Sequence, residues 1–280
     1  MLLKWAGGKS WLTKNYKQIF HSEESLTSRA FNNYPSIEYR KYIEPFLGGG
    51  AVFKYLKPEN KSILSDINDE LIGFYNCLKH RPKELYLSTQ IHMKSHCEDY
   101  YYQIRAKNNL TDETKRASRF LYLNRTCYNG IYRVNSQNEF NVPMGDSKDF
   151  NVTEEEFIKY SKMLSKAEIK NEDFRISINR AEKNDLIFVD PPYVTKSNES
   201  TFDMYSANQF NWNAQEELSQ ILEIKNKEGS LIIVTNINDK DICNLYDKKN
   251  GWFHQPINRA NVMAYNADGK KYKEVVIKNF

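Results

Sequence analysis

Cysteine is scarce in this 280-residue chain, and the four present, Cys77, Cys97, Cys127 and Cys243, are scattered without a CxxC pair. That spacing offers neither a disulfide framework nor a zinc site, and it fits a reducing compartment. Long apolar runs are also missing. None would span a bilayer, and Met1-Leu2-Leu3-Lys4-Trp5 carries no leader-like stretch, so a soluble cytoplasmic protein is expected. Charge of one sign is hardly in excess. Forty basic against 36 acidic residues leave +4, which permits nucleic acid as a partner without demanding it. Internal repeats and low-complexity tracts are absent. Aromatic residues, by contrast, are plentiful, with 19 Tyr and 15 Phe. They suit either a surface that stacks on bases or simply a Tyr-rich core.

The most telling segment is Asp190-Pro191-Pro192-Tyr193, which follows the apolar run Leu186-Ile187-Phe188-Val189. The run predicts a buried parallel strand. Two prolines after it lack N–H groups and fix φ, so the chain must leave the sheet in a stiff, extended turn. Such a turn holds a carboxylate, bare carbonyls and an aromatic ring at the carboxyl edge of the sheet, where open α/β folds bind ligands. Acceptors beside a flat ring suit a planar amine, such as the exocyclic amine of a base stacked on Tyr193.

Earlier in the chain, Lys41–Phe46 reads as a short strand running into Leu47-Gly48-Gly49-Gly50, with a helix from about Ala51 to Leu56. Ser62–Asp66 is a second strand. A helix beginning at Ile67-Asn68-Asp69 carries Leu71, Ile72, Tyr75 and Leu78 on its apolar face. This βαβα pattern opens a doubly wound sheet. From about 80 to 165 the chain turns helical, Tyr-rich and basic, with Tyr100-Tyr101-Tyr102, Arg105, Lys115, Arg116 and Arg119. A long polar loop then runs from Asn124 to Phe150, and loops of that length are usually functional. Strand-like and helical signals resume at Phe174-Arg175-Ile176, the run into Asp190, a helix near 212–224, Ser230–Thr235 and a closing strand at 273–278. The whole reads as one α/β domain interrupted by a mostly helical insert.

Glycines in the 44–50 turn allow close approach of backbone to a ligand, and Asp66, ending the next strand, is placed to accept hydrogen bonds from ribose hydroxyls. Gly8-Lys9-Ser10 resembles the end of a phosphate loop, but Leu3 stands where its first glycine is needed. Lys9 is better read as a cation near a carboxylate or phosphate, and Trp5 as a stacking or lid residue. His92 and His96, four apart on a helix, have no further ligand cluster, so a solvated or capping role is preferred over a metal. The stretch Asn124–Arg133 mixes the tools of base reading. Arg can bind guanine bidentately, Asn can pair with base edges, and Ile can meet a thymine methyl. Tyr128 could wedge into a stack left open by an extruded base. The alternative is a polar surface loop with a packed aromatic.

Taken in order, Lys4-Trp5-Ala6-Gly7-Gly8-Lys9, Glu44–Gly50, Ser65-Asp66-Ile67-Asn68, Tyr128–Asn135, Glu139–Pro143 and Asp190–Tyr193 resemble the Dam-type (class alpha) adenine-N6 DNA methyltransferases over nearly the whole chain. The resemblance implies a Rossmann-like S-adenosylmethionine-dependent methyltransferase sheet in residues 1–78 and 166–280. It also implies an inserted, mostly helical target-recognition domain in 79–165. It implies double-stranded DNA as partner, S-adenosylmethionine as methyl donor, no metal, and catalysis by Asp190, Pro191, Pro192 and Tyr193. Trp5, Lys9, Phe46, Gly48, Asp66 and Asp190 would line the cofactor site, with Asp173-Phe174 beside its adenine. Tyr128 and Asn129 would support base extrusion, Arg133 would read a guanine, Ile131 and Pro143 would contact a thymine methyl, and Lys4 would face the first base pair. It further implies a monomer, with any cognate restriction endonuclease acting separately.

There is one departure. Members that recognise GATC usually carry Arg just after the glycine closing this loop, whereas here Gly145 is followed by Asp146. GATC is therefore the expected site with a different short adenine-containing sequence as the alternative. The segment 21–39 is longer than usual for the family. A rival in chemistry is a guanine-N2 RNA or protein-glutamine methyltransferase, which does not require the large insert between Asp66 and Asp190. A rival in class is a DNA-binding regulator with a vestigial cofactor site, against which the intact Asp-Pro-Pro-Tyr turn argues.

Overall fold

A computed structural model describes residues 2–5, 7–15, 17–20, 37–108, 110–146, 152–196, 210–257 and 274–280. The long segment 21–39 lies largely outside these residues, as does 147–150 at the end of the Asn124–Phe150 loop. The described strands are β1 (Tyr42–Glu44), β2 (Ser62–Asp66), β3 (Ala167–Asn171), β4 (Leu186–Val189), β5 (Leu231–Ile237), β6 (Phe253–Ile257) and β7 (Glu274–Lys278). They form a seven-stranded sheet in the order β3-β2-β1-β4-β5-β7-β6. The helices are α1 (Ser10–Asn15), α2 (Ala51–Leu56), α3 (Asp69–His80), α4 (Pro82–Lys94), α5 (Glu98–Arg105), α6 (Glu113–Thr126), α7 (Glu154–Leu164), α8 (Phe174–Asn179), α9 (Trp212–Lys227) and α10 (Lys240–Asn244). This is the α/β, Rossmann-like architecture expected. The chain falls into two compact units, one of residues 16–46, 60–63 and 173–280, the other of 1–15, 47–59 and 64–172.

In the first unit β4 lies parallel between β1 and β5, and its four residues are all buried. A strand covered on both faces must be apolar throughout, which is why Leu-Ile-Phe-Val does not alternate. Ile187, Val189, Ile232 and Val234 enter one core cluster with Trp212, Leu218 and Leu222 of α9. Because side chains alternate along a strand, Phe188, Ile233 and Thr235 point to the opposite face. Asp190, one step past Val189, continues that second row. β7 runs antiparallel between β5 and β6, with Ile237 opposite Glu274 and Thr235 opposite Val276. β6, an edge strand carrying Pro256, was not evident in the sequence; proline tolerates only such edges.

The sequence reading of Phe174–Ile176 needs correction at its strand-like end. These residues open α8, because the Asp173 carboxylate accepts the Arg175 N–H and caps the helix. The strand that precedes them is β3, whose Ala-Glu-Ile-Lys-Asn pattern buries only Ala167 and Ile169 and is correspondingly faint.

In the second unit α6 is the central helix, with buried residues from Ala117 to Thr126 and an Asp112 cap on the Lys115 N–H. α3 is capped by Asn68 and carries Asp69 and Glu70 in its first turn and Lys79 and His80 in its last, which complements the helix dipole. Tyr101 and Tyr122 are buried with Ile104, Leu123, Cys127, Phe140 and Val142, so these tyrosines build core rather than a stacking surface. Two of the basic residues are likewise engaged within the protein, one buried and one half-buried. Arg119 is buried and donates to the carbonyls of Ile104 and Arg105, while Arg116 pairs with Glu70 and Asp69.

His92 and His96 are half-buried rather than solvated. Nδ1 of each meets a tyrosine hydroxyl, Tyr100 and Tyr122 respectively, both at 2.8 Å. Burial, helped by Lys107 and Arg119, lowers the His92 pKa to about 4. Nor is the described part of the Asn124–Phe150 loop structureless. α6 continues through Thr126, and bridges join Cys127 to Met144 and Val134 to Phe140.

Candidate functional site

The glycine turn is built in the second unit. Gly48 (φ +46°) and Gly50 (φ +62°) both take left-handed backbone, and Gly50 caps α2. A Cβ on Gly48 would stand 2.8 Å from Trp5 Cδ1, so only glycine lets the indole lie against the turn. Trp5 is steadied by Tyr132 (centroids 6.0 Å apart, stacked) and Phe120 (6.3 Å). The Asp66 carboxylate accepts the N–H of Gly48 on one oxygen and of Asn68 on the other, each at 3.0 Å. Burial raises the Asp66 pKa, opposed by the backbone donors of Asn68, Gly48 and Ile67. The Tyr75 hydroxyl closes the turn by donating to the Gly48 carbonyl (3.1 Å). Lys9 is buried, and its Nζ donates to the Gly7 carbonyl (2.9 Å), next to the Trp5–Gly8 turn that leads into α1.

Phe46, Asp173 and Phe174 belong to the first unit. Phe46 stacks on Phe174 (5.4 Å), and both meet Phe210 edge-on. The Asp173 carboxylate is engaged by the backbone and guanidinium of Arg175, which also pairs with Glu217. Phe174 is thus set in place by a cap and an ion cluster at the start of α8.

Asp190 leaves the end of β4 half-buried, followed by buried Pro191, exposed Pro192 and a Tyr193 that is 37% exposed. Thr235, on neighbouring β5, donates its hydroxyl to Asp190 Oδ1 at 2.7 Å. The Tyr193 phenol donates to Glu274 Oε2 at 3.1 Å. Burial of the hydroxyl end, followed by the charges of Asp190 and Glu274, raises the Tyr193 pKa well above its ordinary value, so the phenol stays a donor. Thr235 and Glu274 were not singled out from the sequence. Their signal is a polar residue at the end or start of an apolar strand run, and a linear pattern does not say which loop such residues face.

The presumed base-reading residues lie at the surface of the second unit. Tyr128 (52% exposed), Asn129, Ile131, Arg133 and Pro143 are all exposed. The Tyr128 N–H donates to the Pro143 carbonyl (2.9 Å), tying the two arms of the segment together. Gly145 permits this closeness, since a Cβ there would come within 2.7 Å of the Cys127 carbonyl oxygen. Arg133 Nε donates to Asn141 Oδ1 (2.8 Å), which orients the guanidinium. Lys4 joins this surface through Asn124, whose amide accepts the Lys4 N–H (2.8 Å) and donates to its carbonyl (2.6 Å). Asn124 is therefore a buried strut and not a base reader. Burial pushes the Cys127 thiol up to about 11, which favours the protonated form over the thiolate. Asp146 is exposed beside Gly145.

Residues 5–262 match the family described as D12 class N6 adenine-specific DNA methyltransferase. The type II methyltransferase M.MjaIII of Methanocaldococcus jannaschii is 33% identical over 303 residues, which cover 99% of this chain and 98% of that protein. The DNA adenine methylase of Escherichia coli is 35% identical over 226 residues, 79% of this chain and 74% of that one. A type II methyltransferase of Lactococcus lactis, M1.LlaDCHI, is 29% identical over 99% of this chain and 94% of its own. With its Rossmann-like sheet, glycine turn and Asp-Pro-Pro-Tyr strand end, the chain belongs to the D12 class of N6 adenine-specific DNA methyltransferases.

Proposed function

We propose that this methyltransferase uses S-adenosylmethionine to methylate the N6 amine of an adenine flipped out of double-stranded DNA, with GATC the expected site. The observation that carries the proposal is the strand end itself: a carboxylate fixed by Thr235 and, three residues on, an exposed ring anchored through its hydroxyl.

The residues present fit the cofactor. Gly48 offers bare backbone where a side chain would clash, and Asp66 keeps acceptor capacity for a ribose hydroxyl beyond the three backbone donors it holds. The stacked Phe46 and Phe174 supply ring surface for an adenine, and Asp173 sets Phe174 by capping α8. Trp5 and Lys9 complete the proposed set. When bound, the sulfonium supplies an electrophilic methyl group and leaves as a neutral thioether.

The rest is done by the chain. Adenine N6 is a weak nucleophile because its lone pair is delocalised into the ring. Asp190 and the carbonyl of Pro191 are proposed to accept hydrogen bonds from its two N–H groups, which draws the nitrogen toward tetrahedral geometry and localises the lone pair; once the N–C bond has formed, one N–H proton is lost through Asp190 to solvent. Pro191 and Pro192 keep these acceptors rigid, and Tyr193 stacks on the base. Flipping costs a few kcal/mol. Tyr128 and Asn129 offset it by filling the vacated stack, and positioning alone can supply about 7–11 kcal/mol in favourable cases. No metal is assigned a role.

Residues 79–165 are the proposed reader and 1–78 with 166–280 the proposed catalytic part. Arg133 would read a guanine, Ile131 and Pro143 a thymine methyl, and Lys4 the first base pair. The enzyme is proposed to act on cytoplasmic DNA as a monomer, any cognate nuclease acting separately. The test is modification-sensitive sequencing of DNA from a methylation-free host expressing the chain or its Asp190→Ala variant. N6-methyladenine at one short motif, lost with Asp190→Ala while DNA binding survives, is expected. Near-normal methylation by that variant would overturn the assignment.

A further inference from the structure

We infer that Glu274 is a positioning residue, holding the Tyr193 ring through its hydroxyl at the angle needed to stack on the target base. The inference rests on the proposed stacking role of Tyr193.

Glu274 is the first residue of β7 and is 7% exposed. Burying a carboxylate is costly, and buried ionic groups can often be replaced by apolar residues without loss of stability. A carboxylate at this point therefore calls for a use. The geometry supplies one. β4, β5 and β7 are adjacent strands, and their registers set Val189 beside Val234 and Ile237 opposite Glu274. Asp190 thus falls beside Thr235, while Glu274 lies on the same face of β7 two residues from Val276, the partner of Thr235. These side chains hold the proposed catalytic turn, Thr235 meeting Asp190 at 2.7 Å and Glu274 accepting from Tyr193 at 3.1 Å, with the Thr235 hydroxyl also beside that of Tyr193.

The ring needs such a tether. Pro191 and Pro192 stiffen the backbone before Tyr193 but leave its side-chain torsions free, and 37% of the residue is exposed. Anchoring the hydroxyl at Glu274 fixes the far end of the ring. One face then stays at a defined tilt for a planar partner, with the entropy of ordering already spent before the base arrives. Raising the phenol's pKa keeps the proton on the oxygen that donates.

The test is a double-mutant cycle on the purified full-length protein, using kcat for methylation and the fluorescence of 2-aminopurine in place of the target adenine as a flipping signal. Glu274→Ala and the volume-preserving Glu274→Met are expected to lower kcat about tenfold or more and to weaken the fluorescence rise, with S-adenosylmethionine affinity within about twofold. Glu274→Gln, which keeps an acceptor for the phenol, should recover most of that loss. In a Tyr193→Phe background the same substitutions should cost less than about threefold, because the link is already cut. Equal losses in both backgrounds, or a Glu274→Gln variant as impaired as Glu274→Met, would overturn the inference. Absence of adenine methylation by the unmutated chain would instead sink the functional proposal, so the two failures are separable.

Discussion

Replacing Thr235 with valine removes the bond that orients the proposed catalytic carboxylate, together with the same hydroxyl's longer contact to the Val189 carbonyl (3.5 Å) and its contact with Tyr193. Thr235 is 1% exposed in the middle of the sheet, flanked along β5 by buried Val234 and Asn236, and valine has nearly its shape. The substitution therefore removes one hydroxyl and its 2.7 Å bond to Asp190 Oδ1 with little change in packing. A hydrogen bond to a charged group contributes about 1.5–3 kcal/mol. Asp190 is only half-buried, so water replaces part of the loss and the lower end, about 1.5–2 kcal/mol, applies. That energy orients the acceptor during methyl transfer, and about 1.4 kcal/mol corresponds to tenfold in rate, so kcat should fall roughly 10–30-fold. Single-turnover transfer of a labelled methyl group to a duplex measures the step, with calorimetry for cofactor affinity and thermal unfolding to check the fold. KM for DNA and cofactor affinity should hold within about threefold, and Thr235→Ser should restore most of the rate. A folded valine variant with kcat within twofold of the unmutated enzyme would refute the reasoning.

Other sites carry their own expectations. Gly48→Ala forces a side chain into left-handed backbone, costing about 1–2 kcal/mol. Its Cβ also meets an indole already hemmed in by Phe120 and Tyr132. Calorimetry should show S-adenosylmethionine binding weakened at least about tenfold, and unchanged affinity would remove Gly48 from the cofactor turn. The His92 pKa is lowered from 6.5 to about 4 in the folded chain, so the unfolded chain takes up this proton first as the pH falls. The resulting destabilisation is absent above about pH 6.5 and grows toward pH 4, reaching about 1–2 kcal/mol at pH 5. Urea unfolding at pH 7 and pH 5 should show a smaller drop for His92→Gln than for the unmutated protein. Parallel curves would assign the acid sensitivity to other groups.

Much of the fold was legible in the order of residues because its signals are local. The apolar run before Asp190, the glycines after β1 and the Asn68 start of α3 each reveal an element within a few residues. Where several forces compete, the linear signal failed. Phe-Arg-Ile looked extended until the Asp173 cap turned it into helix, and β3 was hidden by its polar exposed face. Whether the abundant tyrosines form a stacking surface or core was left open by composition, and Tyr101, Tyr122 and Arg119 are core, because composition does not tell which face of a helix is covered.

The sequence by itself determined the chemistry. An acceptor-rich, proline-stiffened turn with an aromatic ring, set after a glycine turn and an acidic strand end, is a local pattern, and its residues need only be in order to be recognised. Tertiary structure decided what supports that chemistry. That Thr235 holds Asp190, that Glu274 holds Tyr193 and that Asn124 fastens Lys4 to α6 all depend on strand register and helix facing. Those relations are set by long-range packing between residues from 45 to 120 positions apart, and a one-dimensional pattern carries no record of them.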